Sequence, residues 1–459
     1  MMKQNFFHCL YIALVFLLLL LPSVGMWMVG ETEAGANEVL AAKPSLRKPD
    51  GSFNQDILTD VTDYIADRFA FRQECVTAWA RLNADLLHTS VEEKVLLGKD
   101  GWLYYTETEA DYMGQGLTDG ELQTAARNLA LMQEYAESQG AKFLFTIAPN
   151  KNSLYSENMP SYIPKGEETA NRTRIPRYLA EAGVVYADLY AAFEEQEEIL
   201  YFATDSHWTS KGAALAADTL LSAVGKDTAY FAGNFSTKTE HLGDLYEMLY
   251  PTGDGRETDR IYTPGFTFTY DADPNGGNAI TIKTQNTDGT GSLLCFRDSF
   301  GISLHPYLAE EYSKALFSRQ TAYDLTQIGT TGVDTVIIEL VERNLYQLVT
   351  EAAVFPAPTR KNLTDEITPS AETLTVTVTP GQTAGTAHLR QVQGTLAPGM
   401  TDEGSPMYLL VDGVWYEATV LAGDTSGFSA WIPAGDTTNF QLMTCCGGMD
   451  TTYPCTVQS

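Results

Sequence analysis

The chain has 459 residues, 44% of them hydrophobic, and carries a formal net charge of −30. That length allows one large core plus a smaller domain, because single cores stop growing at roughly 250–300 residues. The charge argues against a nucleic-acid partner, which needs a basic stripe to release counterions, and against adhesion to anionic lipid through a charged face. Membrane contact would have to come from an inserted segment.

Such a segment opens the chain. Phe6 to Val29 is one apolar run, preceded by Lys3 and followed by Glu31 and Glu33. It fits the about 20 residues of a spanning helix better than the about 7–15 of a cleaved signal core. Lys3 on the short side gives an N-in, C-out orientation. Residues 1–30 are therefore expected to form an N-terminal transmembrane anchor. Cleavage near Gly25 or at Ala34-Gly35-Ala36 is the competing reading and would make the protein secreted; both readings leave the remainder extracytoplasmic. Residues 31–54, rich in Ala, Pro, Lys and Gly, read as a stalk.

From Gln55 to Leu87 apolar residues recur at helical spacing, predicting two amphipathic helices with a bend at Arg68 to Arg72. Thr118 and Glu121 form a capping-box pattern that opens a helix stopping at Gly140. Lys142 to Pro149 follows as a buried strand. The alternation continues through a helix at Arg174 to Ala182, a strand at Val184 to Tyr186, a helix at Ser210 to Val224, and strands at Leu293 to Phe296 and Thr335 to Leu340. This predicts an α/β domain over 55–360, a parallel sheet flanked by helices. Residues 226–292 shift to Gly, Thr, Asp and Tyr and read as an insertion of loops and hairpins. Beyond Pro369, Thr373 to Thr379 alternates strictly, Met407 to Val411 and Val414 to Val420 flank the turn Asp412-Gly413, and Phe428 to Ile432 follows. Residues 368–459 are thus expected to be a small all-β domain, a sandwich. Cys445, Cys446 and Cys455 cluster there, and an oxidising exterior permits one bridge closing residues 447–454.

Two short stretches carry chemistry. Arg297-Asp298-Ser299-Phe300-Gly301 sits at the end of a strand, where open α/β sheets build their sites. Alone it is a weak signal, because a serine or aspartate after a strand is commonly an ordinary turn or helix cap. Thr204-Asp205-Ser206-His207-Trp208-Thr209 precedes a helix and sets an acid two residues from an imidazole, a spacing at which Asp205 can orient His207 as a base for Ser299. The bland alternative has Asp205 or Thr209 capping the helix and His207 packing near Trp208. The Ser299 N–H is the natural first oxyanion donor and Asn150 a candidate second, although Asn150 also suits a turn after Pro149. Arg297 and Arg343 are substrate-binding candidates, and Arg343 either holds an anionic saccharide or pairs with Glu342. His88, His241 and His388 read as surface or packing residues, and His305 has no orienting acid nearby in sequence. Glycine-rich phosphate loops, Cys-x-x-Cys and His-Glu-x-x-His are absent, so neither a cofactor nor a metal is expected.

Gly98-Lys99-Asp100-Gly101-Trp102-Leu103, Pro149-Asn150-Lys151, Thr204 to Trp208 with Lys211-Gly212-Ala213, Arg297 to Gly301 and Glu342-Arg343-Asn344-Leu345 occur in that order between Gln55 and Thr350. In these the chain resembles the DHHW family and, more distantly, the AlgX and AlgJ alginate O-acetylation proteins, relatives of the SGNH hydrolases. Ser206 stands where the family's name has a second histidine, and no glycine precedes Asp298. The resemblance implies an SGNH-hydrolase-like sheet and a triad in which Asp205 orients His207, His207 deprotonates Ser299, and Ser299 takes up an acyl group as an ester. It implies an O-acetyltransferase or esterase acting on a polysaccharide, with a membrane-bound O-acyltransferase as partner. A reading from another class is a non-catalytic glycan-binding or assembly protein with a vestigial triad, in which Trp415, Tyr416 and Trp431 stack on sugars; core packing is the other role open to these three.

Overall fold

The computed structural model describes residues 2–28, 30, 39–166, 169–272, 279–361, 363, 367–423 and 426–458. The Ala34-Gly35-Ala36 pattern and the stalk's first residues, 31–38, lie outside them. The N-terminal helix runs Met2–Met28. Among the described residues no helix is long and apolar enough to cross a membrane. Near its end Gly25 meets Ala70 and Phe71, so closely that a Cβ would lie 2.7 Å from that of Ala70. Phe71, at φ +66°, is the bend between the helices Ile57–Arg68 and Arg72–Leu82. Residues 39–54 fold back on the first of these, Ala41 N–H donating to Asp67 (2.8 Å) and Asn54 Nδ2 to Asp60 (2.7 Å).

Strands β1 (Val95–Leu97) and β2 (Leu103–Tyr105) form a small hairpin. The capping box at Thr118 and Glu121 is made in both directions and starts the helix Asp119–Ser138. β3 (Lys142–Ala148) and β4 (Tyr186–Ala187) follow, then a hairpin of β5 (Asn234–Leu242) and β6 (Arg256–Thr263). β7 (Thr269–Tyr270), β8 (Thr281–Gln285), β9 (Ser292–Phe296), β10 (Lys314–Ser318) and β11 (Thr335–Val341) complete a seven-stranded sheet of order β4-β3-β11-β9-β10-β8-β7. The β4-to-β10 stretch is parallel and β8 and β7 run antiparallel at the edge. Residues 226–292 are therefore only in part an insertion: β5, β6 and the helix Asp244–Leu249 stand outside the sheet, while β7 and β8 extend it.

Every residue of β11 is buried because helices cover both faces, which is why parallel strands read as continuous apolar runs. Val336, Ile338 and Leu340 pack with Leu122, Leu129, Ile175 and Leu179 on one side, and Ile337 and Val341 pack with Ala213, Leu220, Leu304 and Leu308 on the other. The helices facing the second layer are Ser210–Ala223 and Gly301–Glu311.

The remaining strands are β12 (Thr359–Arg360), β13 (Thr368–Pro369), β14 (Leu374–Pro380), β15 (Leu389–Thr395), β16 (Met407–Val411), β17 (Val414–Leu421), β18 (Gly427–Pro433), β19 (Phe440–Cys446) and β20 (Met449–Val457). They form one sheet, β17-β16-β19-β20-β14-β15-β18, that returns from β18 to β17. The result is a closed barrel in place of the expected sandwich. β17 is long enough to pair with β16 along one half and with β18 at its far end, and closure removes the sheet edges. Leu409, Val420, Phe428, Phe440 and Leu442 fill the interior. Asp412 and Gly413 turn β16 into β17 at φ +49° and +80°, as a tight hairpin requires. Trp415, Tyr416 and Trp431 are half-buried. No disulfide joins the cysteines: the β19–β20 register sets Cys445 opposite Asp450 and Cys446 opposite Met449, at the turn, while Cys455 faces Phe440 at the other end.

The barrel is docked on the α/β domain. Asn128 donates to Leu348 O (2.9 Å) and Val420 O (2.8 Å) and accepts from Val420 N–H (3.1 Å). Nearby, the buried Glu417 carboxylate is shared between Arg127 and Arg360, and Arg360 also grips Glu134.

Candidate active site

β9 ends at Phe296, and Arg297 to Phe300 cross the carboxyl edge of the sheet into the helix Gly301–Glu311. Asp298 explains the residue before the serine. One of its oxygens accepts Phe300 N–H (2.9 Å), and the other accepts Val341 N–H at the end of neighbouring β11 (2.7 Å) and Asn344 Nδ2 (3.3 Å). Its own N–H donates to Glu339 Oε2 (3.2 Å), a carboxyl that burial and Asp298 push well above the ordinary range. Arg297 is buried beneath this loop and donates to the carbonyls of Asp298 and Ala279 (both 3.1 Å). A Cβ at position 301 would sit 2.4 Å from the Arg297 side chain, so the loop needs glycine there.

The second loop runs from Phe202 to Thr209. Thr209 caps the following helix, its hydroxyl accepting Gly212 N–H (3.1 Å). Asp205 is thereby left to His207: one oxygen accepts both the His207 N–H (2.8 Å) and Nδ1 (2.7 Å). The other face of the ring reaches Ser299, Nε2 to Oγ 2.8 Å. A carboxylate only accepts, so Nδ1 bears the proton toward Asp205 and Nε2 accepts from the serine hydroxyl. Trp208 is buried and its Nε1 donates to Ser303 Oγ (2.7 Å), pinning this loop to the helix that follows Ser299, while Phe300 lies against the His207 ring at 4.8 Å.

Four further residues hold the His207 loop. Lys151, buried under Trp102 and Tyr104, donates to the carbonyls of Phe202 (3.1 Å), Ala203 (3.0 Å) and Asp205 (2.5 Å), and burial lowers its ammonium to about 8. Glu257 on β6 accepts the N–H groups of Ala203 and Thr204 (both 2.8 Å) and the Thr204 hydroxyl. Asp244, first residue of the helix between β5 and β6, accepts Ser206 N–H (2.7 Å) and Ser206 Oγ (2.6 Å), and donates its own N–H to Asp205 Oδ2 (3.1 Å). His241, expected as a surface or packing residue, instead sets Nε2 2.9 Å from Asp205 Oδ2 and stacks on Phe202 at 3.7 Å.

Burial alone would raise the Asp205 carboxyl, but the imidazoles of His207 and His241 hold it well below the usual carboxylate range. Burial works against a charged His207, yet Asp205, with Asp244 behind it, lifts the ring above its ordinary value. Asp244 is raised by burial and by Asp205. Ligand atoms of Asp205, His207 and Asp244 also gather within 4.8 Å, but the geometry above engages them in hydrogen bonds.

Ser299 and His207 open onto a cleft of about 860 Å³ whose walls include Tyr105, Lys94, Arg319 and Arg343. Arg343 lies over the rings of Tyr105 (5.4 Å) and Phe300 (5.6 Å). It does not pair with Glu342, which is buried and accepts Asn150 N–H (2.9 Å) and Ser153 Oγ (2.6 Å). Asn150 and Arg297 are buried and do not line the cleft. His305 is buried against Tyr270, and burial lowers it to about 4.

Residues 95–276 match the family described as the SGNH hydrolase-like domain of acetyltransferase AlgX. The "Probable alginate O-acetylase AlgJ" of Pseudomonas syringae pv. tomato is 31% identical over 219 residues, 42% of this chain and 54% of the relative. The chain thus spans about half the length of the curated relatives it matches. Among solved structures, Bacillus cereus PatB1 is 18% identical, with a TM-score of 0.44, over 55% of this chain and 96% of its own. A DHHW family protein from Eubacterium siraeum is 20% identical, with a TM-score of 0.41, over 52% and 91%. The resemblance read from the motifs is borne out: residues 95–276 are similar to the SGNH hydrolase-like domain of AlgX, the chain is similar to AlgJ over part of its length, and an all-β barrel follows.

Proposed function

We propose that the protein transfers or removes O-acetyl groups on an extracytoplasmic polysaccharide, with Ser299 as nucleophile, His207 as base and Asp205 as its orienting acid. The observation that carries this is the unbroken row from Ser299 Oγ through His207 to Asp205, opening onto the cleft. Ser299 Oγ attacks the acyl carbonyl as its proton passes to His207 Nε2. Collapse of the tetrahedral adduct returns that proton to the departing oxygen and leaves an acetyl ester on Ser299. A glycan hydroxyl or water, deprotonated by His207, then takes the acetyl group. The Ser299 N–H serves the developing oxyanion.

Lys94, Arg319 and Arg343 gather at the cleft of a chain whose net charge is −30, which suits an acidic glycan such as the alginate for which the AlgJ relatives are named. Residues 1–30 act as the membrane anchor in this reading, which rests on the apolar run from Phe6 to Val29 in the sequence. A membrane-bound acyltransferase would supply the acetyl donor.

The test is turnover of a chromogenic acetyl ester by the full chain, with and without alginate oligosaccharide, alongside Ser299→Ala and His207→Ala. Turnover that needs both residues supports the triad, and acetylated oligosaccharide identifies a transferase. Equal rates in all three proteins would leave a glycan-binding protein instead.

A further inference from the structure

Asp205 accepts four hydrogen bonds. Two come from His207, and the other two come from the β5–β6 segment, through His241 Nε2 (2.9 Å) and Asp244 N–H (3.1 Å). The Asp244 carboxylate also stands 3.5 Å from His207 Nδ1, and the Ser206 hydroxyl lies between them, 2.6 Å from Asp244 Oδ2 and 3.2 Å from Nδ1. We propose that His241 and Asp244 are positioning residues for the acyl-transfer reaction, His241 fixing the ionised Asp205 from behind and Asp244 presenting a second carboxylate to the base.

This rests on the triad reading above but adds a relay of two imidazoles around one buried carboxylate. Tethering the hairpin does not need His241. Glu257 already binds two backbone N–H groups of the base loop, and Asp259 binds the Ser210 N–H (3.0 Å) at the start of the next helix. A contact that is redundant for attachment, yet aimed at the free oxygen of Asp205, is explained by what it does to that carboxylate.

The two residues pull on His207 in opposite senses. His207 is faced by Asp205, Asp244 and Arg343, and His241 by Asp205, Asp259 and Glu257, with Phe202 beneath its ring. A donor on Oδ2 takes up part of the Asp205 charge, so its loss makes Asp205 a stronger acceptor and His207 harder to deprotonate. Asp244 adds negative charge beside Nδ1, so its neutralisation makes His207 easier to deprotonate.

The experiment is the pH profile of kcat/KM on a chromogenic acetyl ester, using the full chain and the variants His241→Phe, His241→Gln and Asp244→Asn. His241→Phe keeps the stack on Phe202 without a donor and should lower kcat about tenfold with KM little changed. Its acidic limb should move to higher pH. His241→Gln restores a donor and should recover most of the rate. Asp244→Asn should move the limb to lower pH. Limbs that stay in place, or that move the same way in both variants, overturn the proposal. NMR titration of the His207 ring in the same proteins reads the coupling without turnover. Opposite displacements there uphold it even if Ser299 proves dispensable, which would sink only the triad reading, and equal ones sink the relay.

Discussion

The Ser299 loop and the His207 loop face each other across the His207–Ser299 hydrogen bond but are held in different ways. Ser299 is placed by the sheet itself: Asp298 ties the loop to the end of β11, and Glu339 rises from the middle of that strand to take its N–H. His207 is placed by side chains gathered from remote segments, Lys151 from beyond β3 and Glu257, His241 and Asp244 from the β5–β6 segment. Strand pairing thus fixes where the serine stands, whereas the base depends on a set of separable polar contacts.

The largest expected effect tests the meeting point. Ser299→Ala should lower kcat/KM on an acetyl ester by about 10⁴-fold or more without moving the melting temperature; retained turnover would end the comparison. Asp298→Ala comes next. It leaves the Phe300 and Val341 N–H groups without their acceptor, so denaturant unfolding should show a loss of about 2–4 kcal/mol, with a fall in kcat of about 100-fold. Glu257→Ala attacks the base loop, where Lys151 still holds three carbonyls. A stability loss of about 1–2 kcal/mol and roughly a tenfold drop in kcat are expected, and a loss as large as that of Asp298→Ala would show that the two loops are equally dependent on single contacts. The smallest effect is the wild-type pH profile. Because Asp205 and Asp244 raise His207, the base form is complete at high pH and is lost as pH falls through a value above the ordinary imidazole figure of about 6.5; a midpoint below that figure would mean that burial outweighs the two acids.

What could be read beforehand divides along the same line. The capping box at Thr118 and Glu121, the buried run of β3, and the Asp205–His207 pair are local patterns, complete within two to four residues or a single strand. In sequence either Asp205 or Thr209 can cap the helix; in the structure Thr209 does so, leaving Asp205 to the imidazole. His241 and Asp244 carry no local signal, because only the hairpin's pairing and the fold-back of its helix bring them to Asp205. Strand β8 was hidden for another reason: Thr281 to Gln285 alternates polar residues outward at a sheet edge, and such a strand resembles a loop in composition. The barrel and the sandwich share the same alternation, and the β17–β18 pairing that closes the sheet, from Leu421 opposite Gly427 to Thr419 opposite Ser429, is indistinguishable in sequence from an ordinary hairpin. Arg343 reached the cleft as expected for a residue just past β11, but its neighbours are aromatic rings instead of Glu342.

The buried amide of Asn128 has a consequence beyond docking. Its three hydrogen bonds join the helix Asp119–Ser138 to both Leu348 and the barrel strand β17. Unfolding either domain alone would give up bonds that the other domain helps to make, at a net cost of about 0.5–1.5 kcal/mol for each, together with the burial of the surface they share. The two domains should therefore melt as one cooperative unit, and a calorimetric scan of the full chain should give a single peak that splits in two when Asn128 is replaced by leucine.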